Sequence, residues 1–208
     1  MKKLALICML FVVTGCAVGN KYDYHTRTIA LPVKSEMHKR VILDVEDLRP
    51  YVQSGQKKPN FVGLQRGGFG NPFDVTTASG NPLAMDMKTS ITRALNDSGY
   101  DVVNINKDLS KESLRDIALQ NDVVRIIILN INEWKSDVYM NITLSCDLIL
   151  RIYNDAGSLL AENDMKFKEA IGGAQISASR NSDTVSSEFG KRIGYLFNQK
   201  EVRDALSF

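Results

Sequence analysis

Apolar residues along this chain recur with two different periods, and the blocks they form predict its elements. Over residues 40–48, Val41, Leu43 and Val45 share one face while Asp44 and Glu46 share the other, the alternation of a half-buried strand. Pro50 ends it. Asn81-Pro82 then opens a helix with the apolar stripe Leu83, Met87, Ile91, Ala94 and Leu95, and Gly99 supplies its stop. A short strand over 101–105 and a short helix over 110–120, capped by Ser110, follow. Residues 123–131 are nearly continuously apolar and β-branched, which predicts a strand covered on both faces. A polar break at 133–137 separates it from the strictest alternation in the chain. There Met140, Ile142, Leu144, Cys146, Leu148, Leu150 and Ile152 face one way and polar residues face the other. After a turn at 154–157, a third strand runs to Ile171. A last helix from Ser182 carries Val185, Phe189, Ile193, Leu196 and Phe197. The order predicts an α+β fold: a mixed sheet with a C-terminal three-stranded antiparallel meander, and helices packed on one face.

Two stretches resist this reading. Residues 16–39 are polar without a sustained period and read as a tether, with 29–33 docking as an irregular strand. Residues 51–80 form a long loop rich in Gly, Gln, Asn and Pro, unusual in length for a compact domain. Phe61, Phe69 and Phe73 lie in it and need somewhere to go. Either the loop presents them to a partner, or it packs irregularly on its own domain. Trp134, the single tryptophan, stands at a strand end before a polar turn. It suits a membrane interface or a protein hot spot, or it folds back over the edge of the core. The organisation expected is therefore a leader over 1–15, a tether over 16–39 and one α+β domain over 40–208.

The leader changes how the composition is read. Lys2 and Lys3, an apolar run over 4–13 and a small-residue exit are the parts of a secretory signal peptide. Val13-Thr14-Gly15-Cys16 resembles the lipobox of bacterial lipoproteins. That resemblance implies that Cys16 is acylated and becomes the mature N-terminus, anchoring the protein to a membrane. Each buried CH₂ of an acyl chain stabilises insertion by about 0.8 kcal/mol. In such lipoproteins an aspartate after the cysteine favours the inner membrane; Ala17 stands here, which implies the periplasmic side of the outer membrane. Of 208 residues, 26 are Lys or Arg and 24 are Asp or Glu. Lys2 and Lys3 lie in the leader, so the remainder holds 24 of each sign, and no electrostatic case for nucleic acid remains. Cys8 lies in the leader as well, leaving Cys146 without an intrachain disulfide partner.

No catalytic or metal-binding constellation emerges. His25 and His38, the only histidines, have no cysteine or carboxylate at ligand spacing. Cys146 faces the apolar side of its strand, where a thiol is inert. The glycines at 67–70 match no phosphate-cradling motif. No cofactor is expected, and the protein is not expected to be an enzyme. With the lipobox, the chain resembles the YajG-type family of uncharacterised bacterial lipoproteins. The matching residues are Leu43-Asp44-Val45-Glu46-Asp47-Leu48-Arg49-Pro50, Ala94-Leu95-Asn96-Asp97-Ser98-Gly99-Tyr100, Glu133-Trp134-Lys135-Ser136-Asp137, residues 141–150, Asp155-Ala156-Gly157, and residues 202–206. These are markers of fold rather than of chemistry. Two functions stay open: an accessory protein that binds another envelope component, mostly protein, or a carrier of a small envelope ligand. A cavity between helices and sheet lined by Met87, Ile91, Met165 and Phe167 would favour the carrier; a solid core there would end it.

Overall fold

A strand of fourteen residues organises the structure, because two others share one of its edges. The computed structural model describes residues 20–105, 109 and 113–207; the leader and Cys16 lie outside them. In chain order the elements are β1 (Lys21–Tyr22), β2 (Arg40–Asp47), α1 (Pro50–Gln53), β3 (Phe61–Arg66), β4 (Pro72–Thr77), α2 (Leu83–Asp97) and β5 (Asp101–Val103). There follow α3 (Leu114–Asn121), β6 (Arg125–Val138), β7 (Asn141–Asn154), β8 (Leu159–Gly173), α4 (Ala178–Phe197) and α5 (Lys200–Leu206). The eight strands form one mixed sheet. β6 runs parallel to β2 over Arg125–Ile131, then parallel to β3 over Ser136–Val138. Along its other edge it pairs antiparallel with β7, and β7 with β8, which is the predicted meander. β5 extends the sheet beyond β2, and β4 then β1 extend it beyond β3.

The alternation predicted for β7 is realised, with Ile142, Leu144, Cys146, Leu148, Leu150 and Ile152 all buried. Val41, Leu43 and Val45 of β2 face the main core, under α2, α4 and α5. Ile42, Ile126 and Ile128 face the opposite side, where Ile117 and Ala118 of α3 cover them. That explains the continuous apolar run of β6: its first half is buried on both faces. Three of the helices thus share one face, and the short α3 covers the other. Ser113 caps α3, its Oγ accepting from the Asp116 amide. The predicted cap, Ser110, lies outside the described residues. Gly99 ends α2 with φ +88°, and any Cβ there would collide with the Ser35 carbonyl, so this position needs glycine.

Three expectations are corrected. The polar break at 133–137 is not a turn but the second half of β6. A register shift between Ile131 and Glu133 inserts one extra residue, which reverses which positions point inward. Ile127, Leu129 and Ile131 face the main core before it; Trp134 and Val138 do so after it. Residues 51–80 are not a loop, since β3, β4 and all of α1 but Pro50 lie within them. The tether is also shorter than expected. β1 pairs with β4, and Tyr22, Tyr24, Ile29 and Val33 are buried in the core, with 29–33 docking without forming a strand.

Where β6 changes neighbours, Arg49 fills the gap between β2 and β3. It is fully buried. Its Nε and Nη2 donate to the two Asp47 carboxylate oxygens at 2.7 and 2.6 Å. Nη1 donates to the Phe61 and Trp134 carbonyls at 2.6 and 3.4 Å, and Nη2 also reaches the Pro59 carbonyl at 3.1 Å. Burial disfavours the charge, but Asp47 outweighs it and holds the guanidinium above its ordinary pKa. The Tyr51 ring lies 5.5 Å from the guanidinium, and its hydroxyl donates to Glu133 at 2.5 Å. The Asp47-Leu48-Arg49-Pro50 run is therefore the joint of the sheet.

Candidate functional site

Side-chain exposure singles out one end of the sheet. Here β3 and β6 finish, β4 and β7 begin, and β8 exits toward α4, so three connections meet. The β3–β4 turn is closed by Gly67 N donating to Asn71 O at 2.9 Å and Gly70 N to Gly67 O at 2.8 Å. Phe69 at its tip is wholly exposed. Between β6 and β7, Tyr139 and Met140 project outward, 49% and 77% exposed. After β8, Asn181 pins the connection by accepting from Gln175 N at 2.8 Å and donating to Gln175 O at 2.9 Å. Ile176 sits between those contacts and is wholly exposed.

Polar contacts tie these tips together. Arg66 grips Asp137 through Nε–Oδ1 at 2.7 Å and Nη2–Oδ2 at 2.6 Å, and its Nη1 donates to Gly70 O at 3.4 Å. The Arg66 hydrogen bond holds the Asp137 carboxyl below the usual range. Ala174 N donates to Met140 O at 3.1 Å, joining the second and third connections. A hollow of about 280 Å³ remains, lined by Arg66, Asp137, Tyr139, Met140, Asn141, Thr143 and Lys168. The first described residues join the same edge of the sheet: Asn20 donates to Gln65 Oε1 at 3.3 Å and its carbonyl accepts from Thr76 N at 3.3 Å, and Ser182 Oγ donates to Lys21 O at 3.0 Å.

Of the residues singled out from sequence, Phe69 lies at this surface and Phe73 is half-buried beside it on β4. Phe61 is core, 3% exposed. Trp134 is fully buried, edge-on to Tyr24 and Phe189, with Nε1 donating to Tyr24 Oη at 3.0 Å. Neither is available to a partner in this fold, and Cys16 lies outside the described residues. Tyr139, Met140 and Ile176 escaped the sequence reading. Met140 continues the inward phase of β7, but the strand begins one residue later, so it becomes turn instead.

A second depression, of about 750 Å³, runs between residues 23–32 and α4. Arg27 Nε and Ser186 Oγ are buried in it without a hydrogen-bond partner. Gly190 and Gly194 let the segment approach the helix, against the Thr28 and Ala30 carbonyls. Solid core stands where the carrier reading places its cavity: Met87 and Ile91 are fully buried in the main core, with Met165 and Phe167 packed against it, so no ligand fits there between helices and sheet. None of the four lines either depression.

Cys146 is buried, and burial pushes its thiol up to about 12, which keeps it protonated and unreactive. His25 Nδ1 lies 3.3 Å from the buried Asp86, which also accepts from Ser79 at 2.6 Å. This cluster joins the N-terminal segment to the first turn of α2. Among the described residues no group of His, Cys, Asp and Glu is placed to hold a metal, and no helix is long and apolar enough to cross a membrane.

No family model matches the chain and no curated protein matches it, so the YajG-type resemblance rests on the residues quoted for it. Among solved structures it is similar to protein XCC0632 from Xanthomonas campestris, of the family described as DUF330. That likeness has a TM-score of 0.49 at 10% identity, over 86% of this chain and 93% of that one. It is also similar to a putative neuraminyllactose-binding hemagglutinin homolog from Helicobacter pylori, at TM-score 0.45 and 10% identity over 88% and 95%. Lipoprotein GNA1162 from Neisseria meningitidis gives TM-score 0.34 and 9% identity over 76% and 99%. At such values the likenesses carry no inference about function.

Proposed function

We propose that the protein is a lipid-anchored, non-enzymatic accessory component of a bacterial cell envelope. Acylated Cys16 holds it on the periplasmic side of the outer membrane, and the strand end bearing Phe69 engages another envelope component. The observation that carries this reading is a coincidence of place. Three connections far apart in sequence project Phe69, Met140 and Ile176 at one end, and Asn20, four residues after Cys16, lies alongside β4, the strand that begins at that end. A photo-crosslinking residue at position 69 of the full chain in cells is expected to capture an envelope component, whereas one at Leu119 is not. Equal capture at both positions, or none at 69, would overturn the docking role. The mature N-terminal peptide is expected to start at an acylated Cys16; an unmodified Cys16 in mass spectrometry ends the tether.

One observation favours a small ligand at another place, on the outer side of α4, since the core between helices and sheet is solid. Two buried donors without partners, Arg27 Nε and Ser186 Oγ, line the α4 depression, and exposed Tyr195 offers a flat face beside them. Such a lining suits a polyhydroxyl ligand rather than a lipid tail. Titration with soluble peptidoglycan fragments is expected to shift the Gly190 and Gly194 amides in NMR spectra. Unmoved glycine resonances would remove the carrier reading.

A further inference from the structure

We infer that the strand end is a membrane seat: Phe69, Met140 and Ile176 enter the apolar boundary of a lipid bilayer, and Tyr139 lies at headgroup level. This deepens the proposed function, since it names the envelope component met at that end as the bilayer holding the acyl chains of Cys16. The form of the surface argues for lipid over protein. A protein hot spot is a contiguous, well-packed centre ringed by polar residues. Here the apolar groups are separate projections, and the hollow between Tyr139 and Met140 is lined by Arg66, Asp137 and Lys168. Separate tips with wet ground between them fit a fluid medium, which closes around each one without needing a matching shape.

Charge and chain direction agree. Asp137 is the carboxylate lining the hollow, and Arg66 already occupies it. Lys168 beside it is exposed, and so is Arg180, on the first turn of α4 after Ile176. Cations flanking apolar tips suit a surface of anionic headgroups. β1 runs parallel to β4, with Lys21 opposite Thr76, and β4 starts at this strand end. From Tyr22 back to Asn20 each residue therefore steps toward the tips. Asn20 is four residue steps from Cys16, a reach of at most about 14 Å, so a bilayer holding acyl chains at Cys16 lies within range of the tips.

The chain from Ala17 onward contains every core residue described above, so it serves to test the seat without acyl chains. It is expected to float with phosphatidylethanolamine–phosphatidylglycerol vesicles. F69S/M140S/I176S is expected to lower the partition coefficient at least about tenfold. L119S/L159S, which removes exposed apolar side chains at the opposite end of the sheet, is expected to leave it unchanged. F69W is expected to shift its tryptophan emission to the blue on vesicles, against the constant background of buried Trp134. No flotation of the unaltered chain, equal flotation of the triple variant, or an equal loss in L119S/L159S would overturn the seat. Capture of protein instead of lipid by the crosslinker at position 69 would overturn it in favour of a protein partner. The two readings fail separately: an unmodified Cys16 with intact vesicle binding removes the tether alone, and an acylated Cys16 without vesicle binding removes the seat alone.

Discussion

Replacing Arg49 with methionine is expected to destabilise the fold by about 3–5 kcal/mol, the range for removing one partner of a buried ion pair. The guanidinium is fully buried and makes five hydrogen bonds through its side chain, two to Asp47 and three to the carbonyls of Pro59, Phe61 and Trp134. Methionine fills much of the volume, so packing loss is the smaller part. The cost arises because the Asp47 carboxylate, 11% exposed, loses its countercharge and both guanidinium donors, while the Phe61 and Trp134 carbonyls lose Nη1; Pro59 O keeps the Leu83 amide. Lysine is no substitute: one ammonium does not span a carboxylate and carbonyls on β3 and β6 together. Changing Asp47 to leucine as well is expected to restore less than half of the loss, because the Phe61 and Trp134 carbonyls still lack the guanidinium donor. Urea unfolding of both variants checks this. A loss below about 1 kcal/mol for R49M would mean that water takes over the joint.

Trp134→Ala carries the second large effect, also about 3–5 kcal/mol. The side chain is fully buried where β6, α4 and the N-terminal segment meet. Its ring lies 6.2 Å from Tyr24 and 6.0 Å from Phe189, both edge-on. Truncation opens a cavity between these rings and removes the donor to Tyr24 Oη. Tyr24 belongs to the segment that precedes β2, so the damage should be uneven. Amide exchange at residues 22–24 is expected to accelerate more than exchange in β7. Trp134→Phe keeps the packing and loses the hydrogen bond, with an expected cost of about 1–2 kcal/mol. Uniform acceleration across the sheet in W134A would show that the segment is not held mainly by this contact.

These two residues mark where reading the chain and seeing it folded part company. Asp47-Leu48-Arg49-Pro50 reads only as the end of a strand. That Arg49 turns inward depends on the gap left when β3 replaces β2 beside β6, a matter of pairing between segments far apart. Trp134 reads as a strand-end aromatic because polar residues surround it. One inserted residue after Ile131 reverses the phase and carries it inward. Local alternation fixes which residues share a face, but not how that face continues past a bulge.

The sequence by itself determined the core face of β2, the strict alternation of β7, the meander, the stripes of α2 and α4 and the inert setting of Cys146. Each is encoded within one segment by a period that a single element can satisfy. Tertiary structure alone decided the strands within 51–80, the docking of residues 20–24 and the gathering of Phe69, Tyr139, Met140 and Ile176 at one end. β3 and β4 are half-exposed and short, so their periods are weak, and their place depends on the edge of β6 that they extend. The apolar tips share no pattern in the chain. They meet because the order β4-β3-β6-β7-β8 brings three connections to the same end of the sheet, and pairing between distant strands is what sets that order.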